Sequence, residues 1–295
     1  MAITRDELKL AGEHFVPGME ATYQNDMYVY GGMSESYSIS GYDELEFTEY
    51  STLDMKPLGD EFVKQDWDNI DFEKVKGPAQ GAYISSRWRD ADLSRMRENP
   101  IPATMASHNK ALARWRSALF RDAATANVSA QLFGTSAFAD TALEAGQITG
   151  SGAAITLANI YNIGSLYARN HALGNGEGIK LAIAQQELDT LRLIEDLKNK
   201  DYNLGAAPSI TGSIGNEVGG VQLVVDQDLN VSGAVRTCFA WLPSGMAQFT
   251  QQAPKIRFEE MQEYNFVPQA YMKTDEGVLR KRRKAVVQLN TLYTY

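Results

Sequence analysis

Cysteine is almost absent from this sequence: of its 295 residues only Cys238 carries a thiol, so no internal disulfide can form. Folding in a reducing compartment is expected, with Cys238 as a buried, inert thiol. Histidine is scarce as well. His14, His108 and His171 stand far apart in different kinds of segment. With one cysteine they offer no paired ligands at the short spacings of zinc sites, so no metal is expected. Long apolar runs are missing too. Charge, Gly or Asn interrupts each within about a dozen positions, short of the ~20 residues that span a bilayer, so no membrane partner is expected. The first ten residues, Met1-Ala-Ile-Thr-Arg-Asp-Glu-Leu-Lys-Leu10, mix charges and hold no apolar signal core, so no cleaved leader is expected.

Catalytic and cofactor motifs are equally wanting. A serine-hydrolase elbow needs Gly-x-Ser-x-Gly, and Gly134-Thr-Ser-Ala-Phe138 lacks the second glycine. Gly174-Asn-Gly-Glu-Gly178 resembles a phosphate-cradling loop, yet it precedes a predicted strand where dinucleotide sites place their glycines after one. No Gly-Lys-Ser or Gly-Lys-Thr occurs. Carboxylate pairs such as Glu259-Glu260 have no evident cleft to work in. The expectation is a protein that is not an enzyme, with no catalytic residues and no cofactors. A soluble α/β hydrolase-type enzyme is the distant alternative.

What the sequence does hold is ordinary globular composition, 44% hydrophobic and 22% charged, with an uneven distribution of charge. The net charge is -9, but residues 1–100 carry 20 acidic against 10 basic side chains, leaving 17 against 18 for the rest. The last 25 residues run the other way, with Lys273 and the run Arg280-Lys-Arg-Arg-Lys284 against Asp275 and Glu276. Either the acids form a solvated surface and the cations one strand face, or the two pair between copies of the chain. In a strand, Arg280, Arg282 and Lys284 would share one face and Lys281 and Arg283 the other. Contact with DNA phosphates is a further reading, weakened by the acidic total and the lack of a recognition motif.

Along the chain, residues 1–45 show no sustained period and read as an extended arm. Glu46 to Trp88 alternates short β-prone pieces with turn chemistry at Pro57-Leu-Gly59 and Gly77-Pro78, the pattern of a long two-stranded excursion. Such a hairpin buries too little to stand alone and needs a neighbour. Ser107 to Leu132 carries Leu112, Trp115, Leu119, Ala123, Val128 and Leu132 at helical spacing. That predicts one long helix with Ser107 as N-cap and Gly134 as its stop. Helix (Ile155 to Asn170), strand (Ile179 to Ala184) and helix (Gln185 to Lys198) follow. Strands are predicted at Val221 to Val225 and Val235 to Leu242. Lys255-Ile-Arg-Phe258, Tyr264 to Val267, a turn at Thr274-Asp-Glu-Gly277, and Val278 to Leu289 read as an antiparallel meander.

This succession resembles the major capsid proteins of tailed bacteriophages, the Hong Kong 97-type fold. Carrying the resemblance are the excursion Phe47 to Glu61 closing with Gly81-Ala-Tyr-Ile-Ser-Ser-Arg-Trp88, the middle segment Leu157 to Leu229, and the final hairpin Asp275 to Leu289. It implies an α+β fold with an N-terminal arm (1–45), an extended β loop (46–90), a peripheral domain with the spine helix (91–144 and 244–295) and an axial α/β domain (145–243). It implies self-assembly into hexamers and pentamers of an icosahedral virion shell enclosing double-stranded DNA. The partners would be a portal protein, separate scaffolding or decoration proteins, and DNA held by non-specific contact, with assembly in the host cytoplasm. Some relatives weld subunits through a lysine-asparagine bond. Lys56 and Lys64 lie in the loop, but no partner asparagine or catalytic glutamate is matched, so no cross-link is expected. An encapsulin-like bacterial nanocompartment shell protein is the alternative within the same fold. The candidate intersubunit contacts are Asp54, Asp60 and Glu61 in the loop against Arg280, Arg282 and Lys284 of another copy.

Overall fold

A computed structural model describes residues 28–40, 44–50, 70–87, 101–170, 177–194, 216–261 and 267–293. Fifteen strands, three α-helices and short 3-10 turns make up its described elements. By contact clustering the chain forms two units. One holds Ala82–Arg114 and Pro254–Thr274 with Met1–Met27, and the other holds Tyr28–Gly81, Trp115–Ala253 and Asp275–Tyr295.

The long helix α1 spans Ile101–Thr125, starting six residues before the expected cap. At 1.5 Å per residue it is roughly 37 Å long. Pro102 explains the early start. A proline in the first turn gives up only an N–H that would have no intrahelical partner, so the sequence Pro100-Ile-Pro102 opens the helix where it was read as a break. Ser107 is therefore an interior residue and caps nothing. The predicted C-terminal half-turns are corrected too: Val128–Gln131 is strand β5, paired with β3, and Gly134 (φ +75°) turns the chain after that strand.

The two-stranded excursion is present as a hairpin. Strand β2 (Glu44–Tyr50) pairs antiparallel with β3 (Phe72–Pro78) over seven residue pairs, from Glu44 opposite Pro78 to Tyr50 opposite Phe72. β5 and β6 (Ala139–Thr141) extend this into a four-stranded sheet in the order β2-β3-β5-β6. The closing segment belongs elsewhere. β4 (Gln80–Arg87) joins β1 (Glu35–Ser38), β13 (Met246–Met261) and β14 (Val267–Arg280) in the order β1-β13-β14-β4.

The third sheet matches the predicted α/β unit closely. β8 (Ile179–Ile183) is central, with parallel β10 (Val221–Val225) on one side and antiparallel β12 (Val235–Trp241) on the other. β15 (Val286–Leu292), β7 (Ile148–Ala153), β9 (Asn216–Val218) and the short β11 (Val231–Ser232) complete it. Between β7 and β8 lies α2 (Leu157–Arg169), whose N-cap Thr156 accepts from the Asn159 N–H at 3.3 Å. α3 (Gln185–Leu193) connects β8 towards β10. Gly150 takes φ +80° where β7 meets a register shift in β15, and a Cβ there would fall 2.4 Å from the Asn290 carbonyl.

Two further expectations change. Thr274 to Gly277 is the interior of β14 and makes no turn. Tyr28 to Ser38, read as part of a free arm, is built into the larger core. Tyr30 is fully buried, stacks on Phe120 at 4.5 Å, and meets Phe239 and Trp241 at 5.8 and 5.5 Å. Its hydroxyl donates to Asp226, which Arg121 also holds at 2.9 Å. The Trp241 indole N–H donates to the Met33 carbonyl at 2.9 Å. Four aromatic rings of this size remove a large apolar area from water at one point, with each polar edge satisfied. Residues 1–27 lie outside the described residues, as do the turn residues 171–176 and the predicted helix end 195–198.

Candidate functional site

The basic run takes a shape that no strand alternation would give. β14 ends at Arg280, residues 283–285 form one 3-10 turn, and β15 begins at Val286. Exposure still alternates from Lys281 to Lys284, with Arg282 and Lys284 outward, but Arg280 does not share their face. Arg280 is only 1% exposed, and its guanidinium donates to the carbonyls of Ala124 at 3.3 Å and Thr141 at 3.4 Å. It is spent on the ends of α1 and β6 and is unavailable to a neighbouring copy. Burial, together with the charge of Arg283, pulls its pKa down to about 10. Arg282 and Lys284 are exposed.

Lys281 and Arg283, placed on the uninteresting face by sequence reasoning, have partners from distant segments. Lys281 Nζ lies 2.6 Å from Glu35 Oε2 and 3.2 Å from the Tyr37 hydroxyl, and sits 5.0 Å above the centre of the Phe47 ring. Burial would raise the Glu35 pKa, but the hydrogen bonds from Lys281 and Tyr37 and the nearby charges of Lys281 and Arg282 outweigh it and hold it below the ordinary value. For Lys281, burial is likewise outweighed by Glu35 and Tyr37, and its pKa is raised. Arg283 bridges Glu73 at 2.9 Å and Glu144 at 2.7 Å. No signal in the sequence joins residues more than a hundred positions apart, so these pairs were invisible there.

The acidic candidates Asp54, Asp60 and Glu61 lie outside the described residues, as do Lys56 and Lys64. What leads to them is visible. The β2–β3 hairpin carries two diagonal cross-strand ion pairs, Lys74–Glu46 at 2.8 Å and Lys76–Glu44 at 3.0 Å, all four side chains about a third or more exposed. Exposed pairs of this kind contribute about 0–1 kcal/mol each. At the far end of the hairpin Tyr50 and Phe72 meet edge to face at 5.2 Å while remaining 64% and 47% exposed. Outward-facing aromatics at an open sheet edge are surface that a partner can cover. In the other unit Tyr83, 73% exposed, stacks on Tyr271 at 5.9 Å.

Among the described residues no group of three or more His, Cys, Asp or Glu converges, and no described helix is long and apolar enough to cross a membrane. His108 is buried two turns into α1, with Nε2 2.6 Å from Ser86 Oγ; burial lowers its pKa. Cys238 is fully buried, and burial first, then the charge of Glu187, pushes its thiol up to about 12, so it is not a nucleophile at neutral pH. A cavity of about 160 Å³ lies against Tyr28, Arg116, Phe249 and Glu276. It is closed off chemically by the bidentate Arg116–Glu276 pair, with Arg116 Nε 2.6 Å from Glu276 Oε2.

No protein-family model matches the sequence, and no curated protein resembles it. Solved structures do. The mature capsid of bacteriophage PhiM1 superposes with a TM-score of 0.68 at 14% identity, covering 94% of this chain and 90% of that one. The capsid of cyanophage Pam1 gives 0.69 at 11% identity, covering 94% and 95%. The head of Helicobacter pylori bacteriophage KHP40 gives 0.67 at 10% identity, covering 94% and 93%. The long α1 helix, the protruding β2–β3 hairpin and the α/β sheet around β8 together form the α+β, Hong Kong 97-like fold that these phage capsid proteins share.

Proposed function

We propose that this chain is a major capsid protein of a tailed bacteriophage. It assembles into hexamers and pentamers of an icosahedral shell that encloses double-stranded DNA, and it acts as a structural protein without catalysis. The observation that carries the reading is that the fold likeness to phage capsids runs nearly end to end in both directions. The exposed aromatic hairpin supports it, because an apolar β edge is an aggregation hazard for a monomer and an adhesive in an assembly. Many modest contacts closing into a symmetric shell multiply one another through effective concentration.

Within this reading, residues 1–45 lead into the subunit as an arm and 46–90 form the loop that reaches a neighbour. Residues 91–144 and 244–295 make the peripheral domain, and 145–243 the axial domain. The acids Asp54, Asp60 and Glu61 face Arg282 and Lys284 of another copy, Arg280 being committed inside its own subunit. Portal and separate scaffolding or decoration proteins complete the particle, which forms in the host cytoplasm. DNA is held only by non-specific contact, as suits a container of net charge -9.

Negative-stain microscopy of the expressed protein tests the reading. Closed shells with five- and six-fold capsomers are expected; small monomers at every salt and protein concentration would count against it.

A further inference from the structure

Five consecutive cations repel one another, and a turn that carries them stays compact only if other groups hold them. Here the holding groups come from the whole surrounding unit. The Gln147 amide donates to the carbonyls of Arg283 and Val286 at 2.6 and 2.7 Å. The Tyr167 hydroxyl on α2 donates to the Ala285 carbonyl at 3.2 Å. Arg280 is fastened to the end of α1 and to β6. The turn is thus fixed to the rigid part of the unit before either of its remaining partly buried cations reaches outward.

Those two cations reach to one object. Lys281 lies over Phe47 of β2, and Arg283 grips Glu73 of β3. Phe47 stands opposite Val75 in the hairpin register, and Glu73 is two residues further along β3. At about 3.4 Å per residue the two grips are roughly 7 Å apart along the strands. A single contact allows a hairpin to pivot, whereas two contacts separated along its axis define a direction. The apolar patch beneath, Val75 and Leu279 with Leu45 and Phe47 packed against it, and the pairing of residues 74–76 with β5 hold the base of the hairpin, and Glu73 lies just beyond that pairing on the side of Tyr50 and Phe72.

We propose that the β14–β15 turn is a latch that sets the direction of the β2–β3 hairpin, with Lys281 and Arg283 as its two positioning residues. This is a property of the single subunit and holds whether or not the chain forms a shell. The Lys281–Glu35 pair is partly exposed and adds little to stability, whereas Arg283 and Glu73 are only 13% and 11% exposed, so Arg283 is removed together with the charge of Glu73 to redirect the hairpin without stranding a buried carboxylate. That separates a positioning role from a structural one.

The test is a distance measurement by double electron–electron resonance in the unassembled subunit. Spin labels go on Thr48→Cys in β2 and Ser232→Cys in β11, both exposed positions. Cys238, fully buried, stays unlabelled. The native latch gives one narrow distance distribution. Lys281→Met with Arg283→Gln, carried together with Glu73→Gln so that no buried carboxylate is stranded, is expected to widen it at least twofold while the circular dichroism stays unchanged. The conservative pair Lys281→Arg with Arg283→Lys, and the exposed-cation control Arg282→Gln with Lys284→Gln, are expected to keep it narrow. An unwidened distribution in the first variant overturns the proposal, and so does equal widening in the control. Loss of folding in both single variants, Lys281→Met and Arg283→Gln, also overturns it, because the cations would then hold the fold rather than aim the hairpin.

Discussion

Glu187 and Arg236 form an ion pair sealed from solvent, with side chains 2% and 8% exposed. Such a pair survives only because every lone pair is used. Glu187 accepts from Arg236 at 2.7 and 2.8 Å, from the Thr291 hydroxyl at 3.0 Å and from the Ala184 N–H at 3.2 Å. The last of these places its charge in the first turn of α3, where the helix dipole favours an anion. The Arg236 guanidinium also lies 4.5 Å above the Tyr293 ring. Arg236→Met leaves Glu187 charged and without its cation, and is expected to cost about 3–5 kcal/mol in urea unfolding. Adding Glu187→Gln should recover part of that loss, since the stranded charge is then gone.

At the scale of the element, β14 shows best what composition conceals. Asp275-Glu-Gly277 has turn chemistry, yet the strand runs straight through it, because Glu276 is held by Arg116 and Gly277 lies against the Phe249 ring. A Cβ at position 277 would sit 2.3 Å from a ring carbon. A glycine inside a strand here marks a close approach. Gly277→Ala is expected to destabilise the protein by about 1–3 kcal/mol in thermal melts, with the loss coming from displacement of Phe249. By contrast β8, β10, β12 and α2 were legible within a residue or two, because β-branched runs and a 3.6-residue period are local signals. The ends of α1 were not. Pro102 is tolerated in a first turn, and Val128 keeps the helical spacing while pairing as a strand with β3. The placement of β4 beside β14, and the grip of Lys281 and Arg283 on Glu35 and Glu73, depend on contacts distant in sequence that no local pattern encodes. Of the six candidate contact residues, three lie outside the described residues, Arg280 points inward, and Arg282 and Lys284 are on the surface.

For the whole molecule, the net charge of -9 separates into an acidic first third, a nearly neutral remainder and a basic turn that is mostly consumed internally. The cations left for a partner are then few. Reversing Asp54, Asp60 and Glu61 to Lys is expected to cut particle yield severalfold in sedimentation assays while the subunit keeps its melting temperature; unchanged yield would sink the pairing with Arg282 and Lys284. Raised salt should mimic the substitution, because exposed pairs are screened within about 8–10 Å.

The position of Tyr30 governs when a subunit becomes real. Its ring closes against Phe239 and Trp241, and the strand carrying those two is completed by β15, whose Val286 to Leu292 pair with it residue by residue. Segments near the beginning of the chain therefore wait, through more than two hundred residues of synthesis, for segments near residue 290. Closure over such separations is slow. A chain that ends short of β15 lacks the strand that completes this core, and such incomplete copies are left to proteolysis and chaperones.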